Sequence, residues 1–116
     1  MKQGLVVNIP SPVNGVAGTP TGVVFTGASG FTFQVKGTKA SSLFTFVTED
    51  GTIVAWGQIS PDLPNDAFIV VDNSANPTAS TGAVYKGAAI AQAKAGGPFF
   101  LYVANIRSGR IEVFPT

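Results

Sequence analysis

The sequence of 116 residues contains no cysteine and no histidine. This absence excludes disulfide bonds, thiolate and imidazole catalysis, and the usual ligands of zinc and copper. Charge is scarce as well, because 7 basic and 6 acidic side chains make up only 11% of the chain and leave a net charge of +1. No run of one sign is present to form an electrostatic footprint for nucleic acid or for an anionic membrane. The composition therefore predicts no nucleic-acid partner, no membrane partner and no cofactor.

Long hydrophobic runs are missing too. No apolar stretch approaches the ~20 residues that a membrane-spanning helix needs. At the start of the chain only Leu5-Val6-Val7 is apolar before Asn8, which is too short for the core of a signal peptide. The compartment stays open, since a chain without cysteine fits the cytosol and a secreted state equally well.

The residues that are present indicate one folded, β-rich domain, with 45% hydrophobic residues, 14 glycines and 8 prolines. Short β-branched and aromatic runs lie between clusters of Gly, Pro, Asn, Asp and Ser, which predicts strands. The predicted strands cover residues 5–9, 21–26, 43–48, 52–57, 68–72, 84–91, 99–105 and 110–114, with an extra strand over 31–35. Only Ala88–Ala95 has helical propensity, so a short helix is the alternative there.

Two predicted hairpins reveal an internal repeat. The first turns at Asp50-Gly51, a pair that supplies the positive φ angles of a tight turn, and the second turns at Ser108-Gly109. Superposing the two turning glycines, a shift of 58, places Ile53 on Ile111. Upstream, residues 22–25 fall on 87–90 at a shift of 65, and residues 5–7 fall on 69–71 at a shift of 64. A period of this size suits units of about four strands.

The repeat predicts an all-β fold of two four-stranded antiparallel propeller blades in a single unit over residues 1–116. Blade 1 covers residues 20–73 and blade 2 covers residues 83–116. The second blade lacks its outer strand, and the N-terminal strand over 5–9 is predicted to close it, since this covers a bare sheet edge. A single β-sandwich is the alternative that length and turn spacing also allow.

The predicted strands are apolar at odd and even positions alike. Phe44 and Phe46 alternate with Leu43 and Val47, and residues 68–71 have no polar side. Two blades alone would expose two apolar faces larger than a soluble monomer tolerates. The chain is therefore either a piece of a larger propeller or a homo-oligomer, and three copies would close a six-bladed ring. Its predicted function is that of a non-catalytic structural unit that self-assembles.

The sequence also resembles an uncharacterised bacterial family whose members are mostly secreted, are about three times as long, and have repeats similar to six-bladed propellers. The resemblance covers nearly the whole chain. Its most specific strings are Thr-Glu-Asp-Gly-Thr-Ile over 48–53, Val-Val-Asp-Asn-Ser over 70–74, Tyr-Lys-Gly over 85–87 and Leu-Tyr-Val-Ala-Asn over 101–105. It implies a propeller fold and secretion, and no activity, since the family has none assigned.

Polar residues in the predicted turns form a candidate ligand site. Propeller topology would gather them on one axial face, where they could bind a carbohydrate, a peptide or a cation. The candidate binding residues are Glu49, Asp50, Asp72, Asn73, Lys86, Asn105 and Arg107. The competing interpretation is ordinary turn chemistry, in which such side chains bond nearby backbone.

Catalysis is the third hypothesis, as a hydrolase or lyase of the kind that propellers host. Glu49 and Asp50 are adjacent and point different ways, which does not suit an acid and base pair. Ser42 and Ser108 have no histidine to activate them. The sequence therefore predicts a protein that is not an enzyme.

Overall fold

The structure is a computed structural model that describes residues 6–27, 29–35, 37–57 and 65–115. The described residues form an all-β fold with antiparallel sheets and no helix. The strands are β1 (Pro20–Phe25), β2 (Thr32–Val35), β3 (Thr38–Ser41), β4 (Phe44–Thr48), β5 (Thr52–Trp56), β6 (Phe68–Asp72), β7 (Tyr85–Gln92), β8 (Phe99–Asn105) and β9 (Arg110–Pro115).

The first sheet is antiparallel and has the order β1-β4-β5-β6. Its central hairpin, β4–β5, turns at Gly51, where φ is +84° and a Cβ would collide with the carbonyl oxygen of Ala83. On the other side of β5, Ile53 lies opposite Val71 of β6. The predicted order of strand, hairpin and strand within one sheet is confirmed.

The second sheet is antiparallel and has the order β7-β8-β9. Strand β7 contains most of the segment for which a helix was the alternative, and it pairs along its length with β8, Ala88 lying opposite Val103 and Ile90 opposite Leu101. This ladder overrides the helical propensity of the alanines. Among the described residues no strand pairs with the outer edge of β9.

The two sheets pack face to face around an apolar core. Val47 and Ile53 of the first sheet meet Leu101 and Val103 of the second. The backbones approach most closely at β1 and β7, where a Cβ on Gly22 would lie 3.3 Å from the Cα of Gly87. Toward the outer strands a cavity of about 210 Å³ separates β5 and β6 from the end of β9. The sheets therefore form a wedge, closed at β1 and β7 and open at β6 and β9.

A separate hairpin of β2 and β3 covers part of the first sheet. Phe33 stacks on Phe68 with ring centroids 6.2 Å apart, and Ala40 and Ala55 complete this small core. The sequence predicted only a strand over 31–35. Strand β3 was missed because Thr-Lys-Ala-Ser has neither β-branched alternation nor an aromatic residue.

Within a single chain, residues 6–9 do not form the strand that the sequence predicts. Leu5 lies outside the described residues, and the rest of the predicted strand contributes an isolated parallel bridge between Asn8 and Asp66. Val7 and Ile9 pack against the cluster around Trp56 on the outer face of the first sheet. The segment therefore does not close the second sheet of its own chain, because it buries its apolar side chains on the first.

Candidate functional site

The predicted polar ligand residues lie at strand ends and in the turns beside them, and each bonds another part of the chain. Glu49 forms an ion pair with Lys86, and both side chains are nearly half exposed. Asp50 accepts a hydrogen bond from the backbone N–H of Thr19 at 3.1 Å. Asp72 accepts one from the backbone N–H of Ser74 at 3.0 Å. Exposed contacts of this kind contribute little to stability. The bond of Asp72 to a backbone N–H two residues on fits turn chemistry, whereas the bond of Asp50 reaches 31 residues back along the chain.

The remaining three predicted residues tie loops together. Asn73 donates to the phenol oxygen of Tyr85 at 2.8 Å, and Asn105 donates to Oε2 of Glu112 at 2.8 Å. Arg107 donates to the carbonyl oxygen of Ser80 at 2.9 Å. The structure thus brings together Glu49 and Lys86, and links Asn73 to Asn105 through two residues that the sequence prediction did not include.

Those two residues, Tyr85 and Glu112, form a part-buried contact at this end. The phenol of Tyr85 is fully buried and donates to Oε1 of Glu112 at 2.7 Å. The sequence carried one signal for this pair: Glu112 is the only charged residue between Ile111 and Phe114. In the structure Glu112 is half-buried while Ile111 and Val113 are exposed, the reverse of the usual order.

Burial, aided by the carboxylate of Glu112, raises the pKa of Tyr85 from 10.0 to about 12, against a smaller lowering by the hydrogen bond from Asn73. A phenol with this pKa keeps its proton at neutral pH and cannot serve as a general base there. The contact instead holds the loop after β6 against β7 and β9. We therefore assign it a structural role.

The raised pKa predicts a loss of stability at alkaline pH. The folded chain holds the Tyr85 proton more tightly than the unfolded chain does, so this contribution is complete below pH 10 and is lost as the pH rises toward 12. A shift of this size corresponds to about 2–3 kcal/mol. Chemical denaturation of Tyr85→Phe should show a weaker decline over this interval than the unaltered chain. The unaltered chain at the same pH values is the reference, and an equal decline in both proteins would contradict the assignment.

The polar end shows no built cation site. Among the described residues no group of three or more acidic side chains could hold a metal ion. Within the same ranges every buried side-chain nitrogen and oxygen has a hydrogen-bond partner. Binding of a ligand at this end stays a prediction.

The outer faces of the two sheets are apolar, and part of each face is uncovered. On the first sheet Val23 and Phe25 are 58% and 59% exposed. On the second sheet Ile111 and Val113 are 61% and 49% exposed, and Tyr102 lies beside them. Apolar side chains grouped on a sheet face, unlike scattered ones, mark an interaction surface.

The repeat relates the outer face of each sheet to the inner face of the other sheet. Since Trp56 corresponds to Phe114, the pairing of each hairpin makes Phe44 the counterpart of Leu101. Phe44 belongs to the outer face of the first sheet, whereas Leu101 is buried between the sheets.

The converse also holds. Ile53 is buried between the sheets, and its counterpart Ile111 is exposed on the outer face of the second sheet. By the repeat, residues on the outer face of the first sheet therefore correspond to residues on the inner face of the second sheet. Residues on the inner face of the first sheet correspond to residues on the outer face of the second sheet. Each outer face thus corresponds by the repeat to one side of the interface inside the chain, and the two are the candidate assembly faces.

No protein-family model, no curated protein and no solved structure matches the chain. The described residues contain no helix that is long and apolar enough to cross a membrane.

Proposed function

We propose that this protein is a non-catalytic structural subunit whose copies join head to tail into a closed ring of β-sheets, a propeller. The outer face of the first sheet of one copy packs on the outer face of the second sheet of the next. The observation that carries the proposal is that, by the repeat, the two outer faces correspond to the two sides of the interface inside the chain. Because the faces differ, the contact is heterologous, and such contacts generate rings or open filaments.

The wedge between the two sheets favours a ring. Sheets arranged around an axis converge on the inner side and diverge on the outer side. The inner strands β1 and β7 meet at Gly22 and Gly87, while a cavity separates the outer strands. Three copies would give six sheets, the number in the family that the sequence resembles.

An open space beside Gly87 also supports head-to-tail packing. Gly22 faces the second sheet, and a Cβ there would lie 3.3 Å from the Cα of Gly87. Gly87 is the counterpart of Gly22 in the repeat, yet no described atom lies within 4 Å of a Cβ built on it. In a ring, Gly22 of the next copy would occupy this space, and the absence of a side chain at position 87 then has a packing reason.

The mass in solution tests the proposal. Light scattering over a range of micromolar concentrations should give three times 11.9 kDa once the chains assemble. Native mass spectrometry should show the same closed species without larger members. A folded protein that remains at 11.9 kDa at every concentration would contradict self-assembly, and an unlimited ladder of masses would contradict closure.

A further inference from the structure

We infer that residues 6–8 of one copy form the fourth strand of the second sheet in the next copy, paired antiparallel with β9. This inference rests on the proposed ring and names the contact that would fasten it. Within one chain this segment lies on the outer face of the first sheet, which is the face that would receive the second sheet of the neighbour. An apolar groove of about 360 Å³ beside Val7 and Val23 lies open on this face.

The edge of β9 is built to accept a strand. It is six residues long and has no partner on its outer side among the described residues. Ile111 and Val113 are exposed and β-branched, and no proline interrupts the strand before Pro115. The one inward charge of β9, Glu112, is already bonded within the chain by Tyr85 and Asn105.

The repeat fixes the register. In the first sheet Ile53 lies opposite Val71 and Thr52 opposite Asp72. Adding the shift of 58 to the β5 residues and subtracting the shift of 64 from the β6 residues gives two pairs: Ile111 opposite Val7, and Arg110 opposite Asn8.

The backbone bonds of the segment leave the required edge free. The N–H of Asn8 donates to Asn65 at 2.7 Å and its C=O accepts from Ala67 at 3.0 Å, so these groups point to one edge. Neighbouring residues of an extended chain point their N–H and C=O groups to the opposite edge. There the C=O of Ile9 is taken by Gly18, while no described residue bonds the backbone of Val7. Val7 can therefore pair with Ile111, and the strand ends before Ile9.

Charge at the second pair is complementary. Asn8 donates from Nδ2 to the carboxylate of Asp66 at 3.1 Å. Arg110 of the neighbour, placed opposite Asn8, would arrive beside this carboxylate. The contact favours the inferred register over one shifted by a residue, which would also reverse the faces of all the side chains.

Disulfide trapping tests the strand exchange, because the natural chain contains no cysteine. Val7→Cys and Ile111→Cys chains are purified separately, mixed in denaturant, refolded together and oxidised. We expect a disulfide-linked species of twice 11.9 kDa that contains one chain of each kind. The matched control replaces Ile111→Cys by Val113→Cys, which lies about 7 Å further along β9 and beyond the reach of a disulfide.

The outcomes separate the two proposals. A mixture with the mass of the ring but no link between positions 7 and 111 overturns the strand exchange and leaves the ring intact. Single chains at all concentrations overturn both. Hydrogen exchange of the unaltered chain is the second readout: assembly should slow the amides of Val7 and Ile111 at least about tenfold. Unchanged exchange in the assembled state overturns the inference.

Discussion

Gly87→Val should convert the ring into folded single chains. A valine has open space at this position within one chain, since no described atom lies within 4 Å of the Cβ and β7 is a strand, which favours β-branched residues. In the assembly the same side chain would meet the backbone of Gly22 from the next copy. Overpacking costs about 1–3 kcal/mol at each contact, and a ring of three repeats this cost three times. Light scattering should therefore report 11.9 kDa where the unaltered chain is assembled.

Circular dichroism and denaturation show whether the Gly87→Val chain is folded. The matched control is Thr38→Val in the separate hairpin of β2 and β3, where the residue is exposed and far from both assembly faces. This control should keep the mass of the ring. An assembled Gly87→Val protein would show that Gly22 of a neighbour does not approach position 87, and the head-to-tail arrangement would have to be abandoned.

The sequence predicted strands best where local pattern and long-range pairing agree. The predicted strands over 68–72 and 99–105 have the bounds of β6 and β8, and six others are correct to within one residue at each end. The two failures have a common cause. Strand β3 is polar and exists because it pairs with β2, and residues 6–9 have a strand pattern without forming one in a single chain. In both cases the strand depends on a pairing partner, which the local sequence pattern does not specify.

The sequence predicted where the polar residues of the candidate site lie, but not which residues they bond. Glu49, in a turn, and Lys86, at the start of β7, were expected at one end of the fold, and they do meet there. The part-buried contact between Tyr85 and Glu112 was missed because its two residues are 27 positions apart and belong to different strands. Alternation would have placed Glu112 in solvent, and only the packing of the second sheet on the first turns it inward.

Trp56→Ala should destabilise the single chain by about 3–5 kcal/mol, the range for an aromatic removed from a core. Trp56 is only 2% exposed, although it lies on the outer face of the first sheet. Its indole packs against Phe44, with ring centroids 6.2 Å apart, and Val7 and Ile9 belong to the same cluster. Trp56→Ala should therefore lower the free energy of unfolding of the single chain, and not only weaken assembly. Trp56→Ala is therefore combined with Gly87→Val, which we expect to remain a single chain. Denaturation of this protein measures the effect on the free energy of unfolding apart from any effect on assembly.

Phe25→Ala is the matched control for Trp56→Ala, because Phe25 is on the same face of the sheet but 59% exposed. In the single chain it should lose only its edge-on contact with Phe44, whose centroid is 5.5 Å away, at a cost of about 1 kcal/mol. In the assembled protein it should weaken the ring by more than that, because the neighbour would bury its ring. If Trp56→Ala and Phe25→Ala cost the single chain the same, the N-terminal segment does not cover Trp56 in solution, and the strand donor would be free before assembly.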